Sequence, residues 1–179
     1  MHFNLSSLIL FAANMLLFFL CSLVNSQLAN FSLYLVLLGL MPVLPALYLK
    51  YPAFLFCSFL SGLCVDAGLA SDFGLFTYGF PIIGTLIRWI RLRFRTGSEY
   101  GYRLILLSNL ANIVCIVLLQ LSHNLKDLFQ PALWMQLLAV TVFSHIVLLI
   151  VGPWFFRLAW MLSELLKLEF HFDDELMPP

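Results

Sequence analysis

Apolar runs follow one another along almost the whole chain with only a few polar residues between them, and nothing else in the sequence constrains the fold as much. They extend from about Leu5 to Val24, Phe31 to Leu49, Pro52 to Leu69, Gly74 to Ile90, Tyr102 to Leu121 and Leu133 to Leu162. Roughly 20 apolar residues in a helix cover a hydrocarbon core of about 30 Å, so there is room for six short crossings and little else. In lipid the backbone has no water to bond to, and a helix satisfies its N–H and C=O groups within one segment. The chain therefore reads as an all-α integral membrane protein, a bundle of six transmembrane helices surrounded by a lipid bilayer. Composition agrees: 63% of the 179 residues are hydrophobic, 10% are charged and the mean hydropathy is +1.00, which leaves too few polar side chains to cover a water-soluble body.

Residues 1–170 read as one domain, and 171–179, with Asp173, Asp174 and Glu175, as an acidic, flexible cytoplasmic tail. No Lys or Arg precedes the first run and no small-x-small site follows Val24, so that run reads as a mature helix rather than a cleaved signal. Beyond Gly152-Pro153-Trp154, residues 155–170 read as a helix that leaves the bilayer along the interface.

Lys and Arg set the orientation, because positive loops stay on the cytoplasmic side. Arg88, Arg91, Arg93, Arg95 and Arg103 cluster around the loop after the fourth run and place it inside. Six crossings then put both termini, Lys50, Arg157 and Lys167 inside as well, and leave only Lys126 outside. The balanced net charge, with no broad basic stripe beside exposed aromatics, argues against nucleic acid as a partner. Cys21, Cys57, Cys64 and Cys115 lie in apolar runs without C-x-x-C spacing and read as inert buried thiols. There is no Ser-His pair, no H-E-x-x-H, no glycine-rich phosphate loop and too few acids for a metal site, so the reading includes no catalytic residue, cofactor or metal.

Pro42 and Pro45 fall inside the second run, where each removes a helical hydrogen bond, and predict a kink or break. Polar side chains at membrane depth are costly, and the set is small. At about 1.5 Å of rise per residue, Asn14, Asn109, Asn112 and His145 reach similar depths, which predicts an interior layer in which some of the four face one another. Interhelical hydrogen bonding accounts for amides and a lone histidine better than a ligand site or proton relay does.

The most distinctive stretch has Ser58, Ser61, Gly62, Cys64, Asp66, Ala67, Gly68 and Ala70 on the third run, with Asp72 and Gly74 following. Small residues allow close helix contact. Asp72 is placed to cap the free N–H groups that open the fourth helix. Asp66, inside a helix, reads as a buried acceptor that orders the turn.

Gly62-Leu63-Cys64-Val65-Asp66, followed by Gly74-Leu75, resembles the central motif of the rod shape-determining MreD family: a glycine four positions before an aspartate and another eight after it, in a small-residue turn between hydrophobic helices. The arginine-rich loop from Arg88 to Arg95 and the late Pro153-Trp154 sit where that family would have similar features. The resemblance implies a fold similar to the substrate-binding subunits of energy-coupling-factor vitamin transporters. It also implies a non-enzymatic subunit of the bacterial cell-elongation machinery, which supports peptidoglycan synthesis in the inner membrane. Its partners would be an MreC-like bitopic protein, the filament protein MreB, the glycosyltransferase RodA and a penicillin-binding transpeptidase. The acidic tail and Asp72 have no counterpart in the family pattern.

Two other classes compete. A transporter substrate-binding subunit needs a pocket with converging polar groups near the outer face, where this sequence offers mainly Asp66, Asp72, His123 and Asn124. An intramembrane enzyme has only His145 with Asp66 to draw on, and the helix placement sets them at different depths.

Overall fold

Leu44 and its neighbours, in a short helix with no exposed face, form the centre around which the other helices stand. The computed structural model describes residues 5–31, 33–69, 73–93, 100–124 and 131–165. It is all-helical: α1 (Leu5–Leu28), α2 (Leu40–Tyr48), α3 (Tyr51–Gly68), α4 (Leu75–Arg93), α5 (Tyr100–Asn124) and α6 (Pro131–Leu165), with a short 3-10 turn at Ala29–Phe31 after α1. Three helices contain stretches long and apolar enough to cross a membrane, Ser6–Leu28, Tyr51–Gly68 and Pro131–Leu158, which marks the chain as membrane-associated. Leu75–Ile90 and Leu104–Gln120 are shorter apolar stretches. Outward-facing Met135, Ile82, Leu138 and Ile150 are more than three-fifths exposed, an arrangement suited to lipid rather than water.

The second apolar run is where sequence and structure part. A helix over 31–49 with a kink or break at Pro42 and Pro45 is expected; instead residues 33–37 have no regular structure, 38 and 39 form a turn, and α2 begins at Leu40 and runs through both prolines. The prolines explain the helical part. Pro42 falls in the first turn of α2, where the N–H has no intrahelical partner in any case. Pro45 lies deeper and deprives the Met41 carbonyl of its helical donor. Leu40 and Met41 enter the helix through bonds from their N–H groups to Leu37 and Leu38 carbonyls, three residues back.

Non-helical backbone inside a membrane protein must be satisfied by protein groups, and here α1, α5 and α6 supply them. The Asn25 amide pairs with Leu35 in both directions, donating to its carbonyl at 2.9 Å and accepting from its N–H at 2.6 Å. Ser144 accepts from Val36 N–H at 3.0 Å, and Asn112 donates to the Val36 carbonyl at 2.8 Å while accepting from Gly39 N–H at 3.0 Å. A Cβ on Gly39 would overlap the Asn112 backbone, so the close approach of this segment to α5 requires glycine.

At its far end α2 is closed by Arg88 of α4, which donates to the Leu49 carbonyl at 2.6 Å and the Ala46 carbonyl at 3.4 Å. Its guanidinium also lies 5.8 Å from the Tyr51 ring centre and 5.7 Å from that of Phe54. A cation at a helix C-terminus is favourable, so Arg88 ties α4 to the α2–α3 corner. The last helix follows the sixth run: α6 continues through Pro153 to Leu165 as one helix. The tail at 171–179 lies outside the described residues.

Candidate functional site

The end of α3 and the start of α4 bring the distinctive stretch together. Gly62 and Asp66 are four residues apart and therefore share one face of α3. That face meets the first turn of α4. At Gly62 the two backbones touch: a Cβ there would overlap the Phe76 carbonyl, so only glycine permits this approach. Small residues at such crossings let dispersion hold helices together where lipid supplies no hydrophobic effect between them.

This closeness delivers the Asp66 carboxylate to the N-terminus of α4. One oxygen accepts from Phe76 N–H at 2.9 Å. The other accepts from Gly74 N–H at 3.0 Å, Thr77 N–H at 2.8 Å and the Thr77 hydroxyl at 2.6 Å. Asp66 is 3% exposed, and three of the four bonds are buried. The first N–H groups of a helix lack intrahelical partners, and the helix dipole adds positive potential there. Asp66 thus performs, from the preceding helix, the service that an N-cap residue normally performs locally. Gly74 makes the turn possible with φ of +107°, a conformation that a side chain would strain.

The capping expected of Asp72 is therefore carried for these donors by Asp66; Asp72 itself lies outside the described residues. Gly68 belongs to a neighbouring contact, where a Cβ would strike the Phe18 ring of α1.

The asparagines expected in an interior polar layer are buried, and Asn14 and Asn112 bond to other segments. Asn14, Asn109 and Asn112 do not form one mutual layer. Asn14 donates to the Met41 carbonyl and to the Ser61 hydroxyl, each at 3.1 Å. The Met41 carbonyl is the one that Pro45 leaves without a helical donor, so the α1 amide replaces the missing backbone bond. Asn112 serves Val36 and Gly39, and the Oδ1 atoms of Asn14 and Asn109 have no partner among the described residues. His145 is half-buried and joins neither network; its neighbour Ser144 is the α6 residue that reaches the interior segment. Amides at similar depth thus serve the broken second run rather than one another, because its unpaired backbone groups need partners most.

Of the arginines, Arg88 has the structural role described above. Arg91 and Arg93 lie in the last turns of α4 and Arg103 in the first turn of α5, while Arg95 lies outside the described residues.

A cavity of about 440 Å³ opens between α1, the extended segment, α5 and α6, lined mainly by apolar groups with Ser22, Asn25, Gln120 and Gln136 among them. Asp66, one of the polar groups expected at such a pocket, does not line it. Neither glutamine stands out in sequence, since each is one polar residue in a long apolar run. Among the described residues no group of three or more His, Cys, Asp or Glu could hold a metal. Comparison with family models, with curated proteins and with solved structures found no match.

Proposed function

We propose that this chain is a non-enzymatic scaffold subunit of a bacterial cell-elongation complex in the inner membrane, similar to MreD. The observation that carries the reading is the use made of the one carboxylate in the motif. All four hydrogen bonds at Asp66 go to the turn it stabilises, so the acid is committed to joining two helices rather than presented to a substrate. The glycine at either end of the motif serves the same junction.

In this reading all six segments cross the membrane, with both termini cytoplasmic. The five residues 33–37 span at most roughly 17 Å and the nine of α2 roughly 13 Å, so the broken second segment is long enough for one crossing. The arginines near the α4–α5 connection then face the cytoplasm. Partners are an MreC-like single-span protein together with MreB, RodA and a penicillin-binding transpeptidase.

The test is affinity purification of the tagged chain in mild detergent, joined to depletion in cells. Co-purification of an MreC-like protein and rounding of depleted cells are expected. Intact cell shape on depletion, with no such partner recovered, refutes the scaffold.

A second reading, a substrate-binding subunit of a vitamin-type transporter, is favoured by the 440 Å³ cavity, which falls within the range of small-molecule sites. Saturable micromolar binding in a thermal-shift screen against vitamins would replace the first reading by this one.

A further inference from the structure

We propose that the cavity between α1, the extended segment, α5 and α6 binds one small neutral amphiphile, its amide or hydroxyl head on Gln120 and Gln136 and its apolar body in the base. This rests on the premise of the second reading, that the cavity takes a ligand, and requires neither transport nor a vitamin.

Three helices each turn one face to the cavity, with Ser22 and Asn25 on α1, Ile116 and Gln120 on α5, and Gln136 and Val140 on α6 at spacings of three or four residues. Gln120 is four residues from the end of α5 and Gln136 five from the start of α6, so both lie about 6 to 8 Å from their helix ends. Asn25 is three residues from the end of α1, about 4.5 Å. One turn deeper the lining is apolar and buried, with Ile116, Val140 and the side chains of Leu35 to Leu38. The cavity is thus polar at a mouth near the helix ends and apolar at its base.

The mouth selects the head. Asn25 is committed to Leu35, whereas Gln120 and Gln136 make no hydrogen bond among the described residues. Each free carboxamide offers two N–H donors and an acceptor oxygen. A head that both donates and accepts can meet the pair; a carboxylate only accepts and an ammonium only donates. Among the described residues no Asp, Glu, Lys, Arg or His lines the cavity, so an ionised head would lose water here without gaining a countercharge.

Size and enclosure fit a small molecule. Five parts of the chain line the space, Leu69 after α3 being the fifth, and its 440 Å³ lies within the range of small-molecule sites. A single turn of helix, 10 to 12 Å across, already fills about 420 to 610 Å³, so a helical partner cannot seat between these walls.

Equilibrium dialysis of tritiated para-butylbenzamide tests this on the full-length chain in micelles at neutral pH, with empty micelles as the blank and para-butylbenzoate as a competitor that differs only in its head. Saturable binding above the blank is expected, with the benzoate at least about tenfold weaker than unlabelled benzamide, as one lost hydrogen bond and an uncompensated charge imply. Gln120→Leu combined with Gln136→Leu should bring the two competitors level. Ser22→Trp, at an exposed position of the mouth, should weaken both while the glutamines are intact, so the outcome does not hang on the folding of one variant. Competition by monoolein would trace the ligand to the bilayer, and its absence to water, with the same site and head in both cases. No saturable binding, equal competition by the two heads, or a preference unchanged in the double variant would overturn the proposal. Vitamins that bind where the benzamide does not would overturn it and leave the second reading; benzamide binding with no vitamin bound would do the reverse.

Discussion

Asp66→Ala removes the shared acceptor of four donors at once, and the cost follows from where those donors are. The Phe76 and Thr77 N–H groups are buried, so neither gains water in exchange. A buried donor left unpaired costs about 1 to 3 kcal/mol. Gly74 N–H is only partly buried and contributes less, and the Thr77 hydroxyl can turn to another acceptor. The sum is about 3 to 5 kcal/mol, or roughly 10 °C in the unfolding midpoint of a domain this size. Asp66→Asn should cost less, about 1 to 3 kcal/mol, because one oxygen remains while an NH2 group faces a backbone donor. Thr77→Val removes a 2.6 Å bond to the carboxylate without changing shape and should cost about 1 to 2 kcal/mol. In the Asp66→Ala background the same change should cost little, since its acceptor is already gone; the coupling is about 1 kcal/mol or more. Thermal unfolding in detergent, followed by helical circular dichroism, measures all four variants. An Asp66→Ala midpoint within about 3 °C of the parent, or full additivity with Thr77→Val, would show that the carboxylate does not hold the turn.

Asn14→Leu leaves the Met41 carbonyl unpaired and should lower stability by about 1 to 3 kcal/mol; adding Pro45→Ala, which restores the missing helical N–H, should recover much of that loss in the same melt. Gly62→Ala forces a methyl group into the Phe76 carbonyl and should cost about 1 to 3 kcal/mol or more, read as a lower midpoint in the same assay. Arg88→Ala should cost about 1 to 2 kcal/mol through the Ala46 and Leu49 carbonyls at the end of α2, with Arg88→Lys intermediate because it keeps charge but loses the planar fork; equal midpoints for the two variants would contradict this.

Much of the Asp66 site was legible in the residues themselves. An acid inside a helix of small residues, with glycines before and after it, already implies a buried acceptor at a tight junction, because lipid makes any other use of that charge costly. Its actual donors were not legible: Phe76 N–H and Thr77 N–H belong to backbone, which has the same chemistry at every position. Asp72, nearer in sequence, is the usual kind of cap, and only the close packing allowed by Gly62 puts Asp66 within reach of the donors. His145 and Ser144 make the same point, since one residue of rotation on α6 decides which reaches the Val36 N–H.

By itself the sequence determined that this chain associates with membrane and is helical, since apolar runs of this length leave helices as the way to satisfy the backbone, but the break it predicted at Pro42 and Pro45 falls instead at 33–39, ahead of a helix that runs through both prolines. Tertiary structure alone decided how far the break extends and what repairs it. An apolar run carries no local signal separating buried helix from buried extended chain, and Leu33 to Gly39 can remain unwound only because Asn25, Asn112 and Ser144 arrive from three other helices to take its hydrogen bonds.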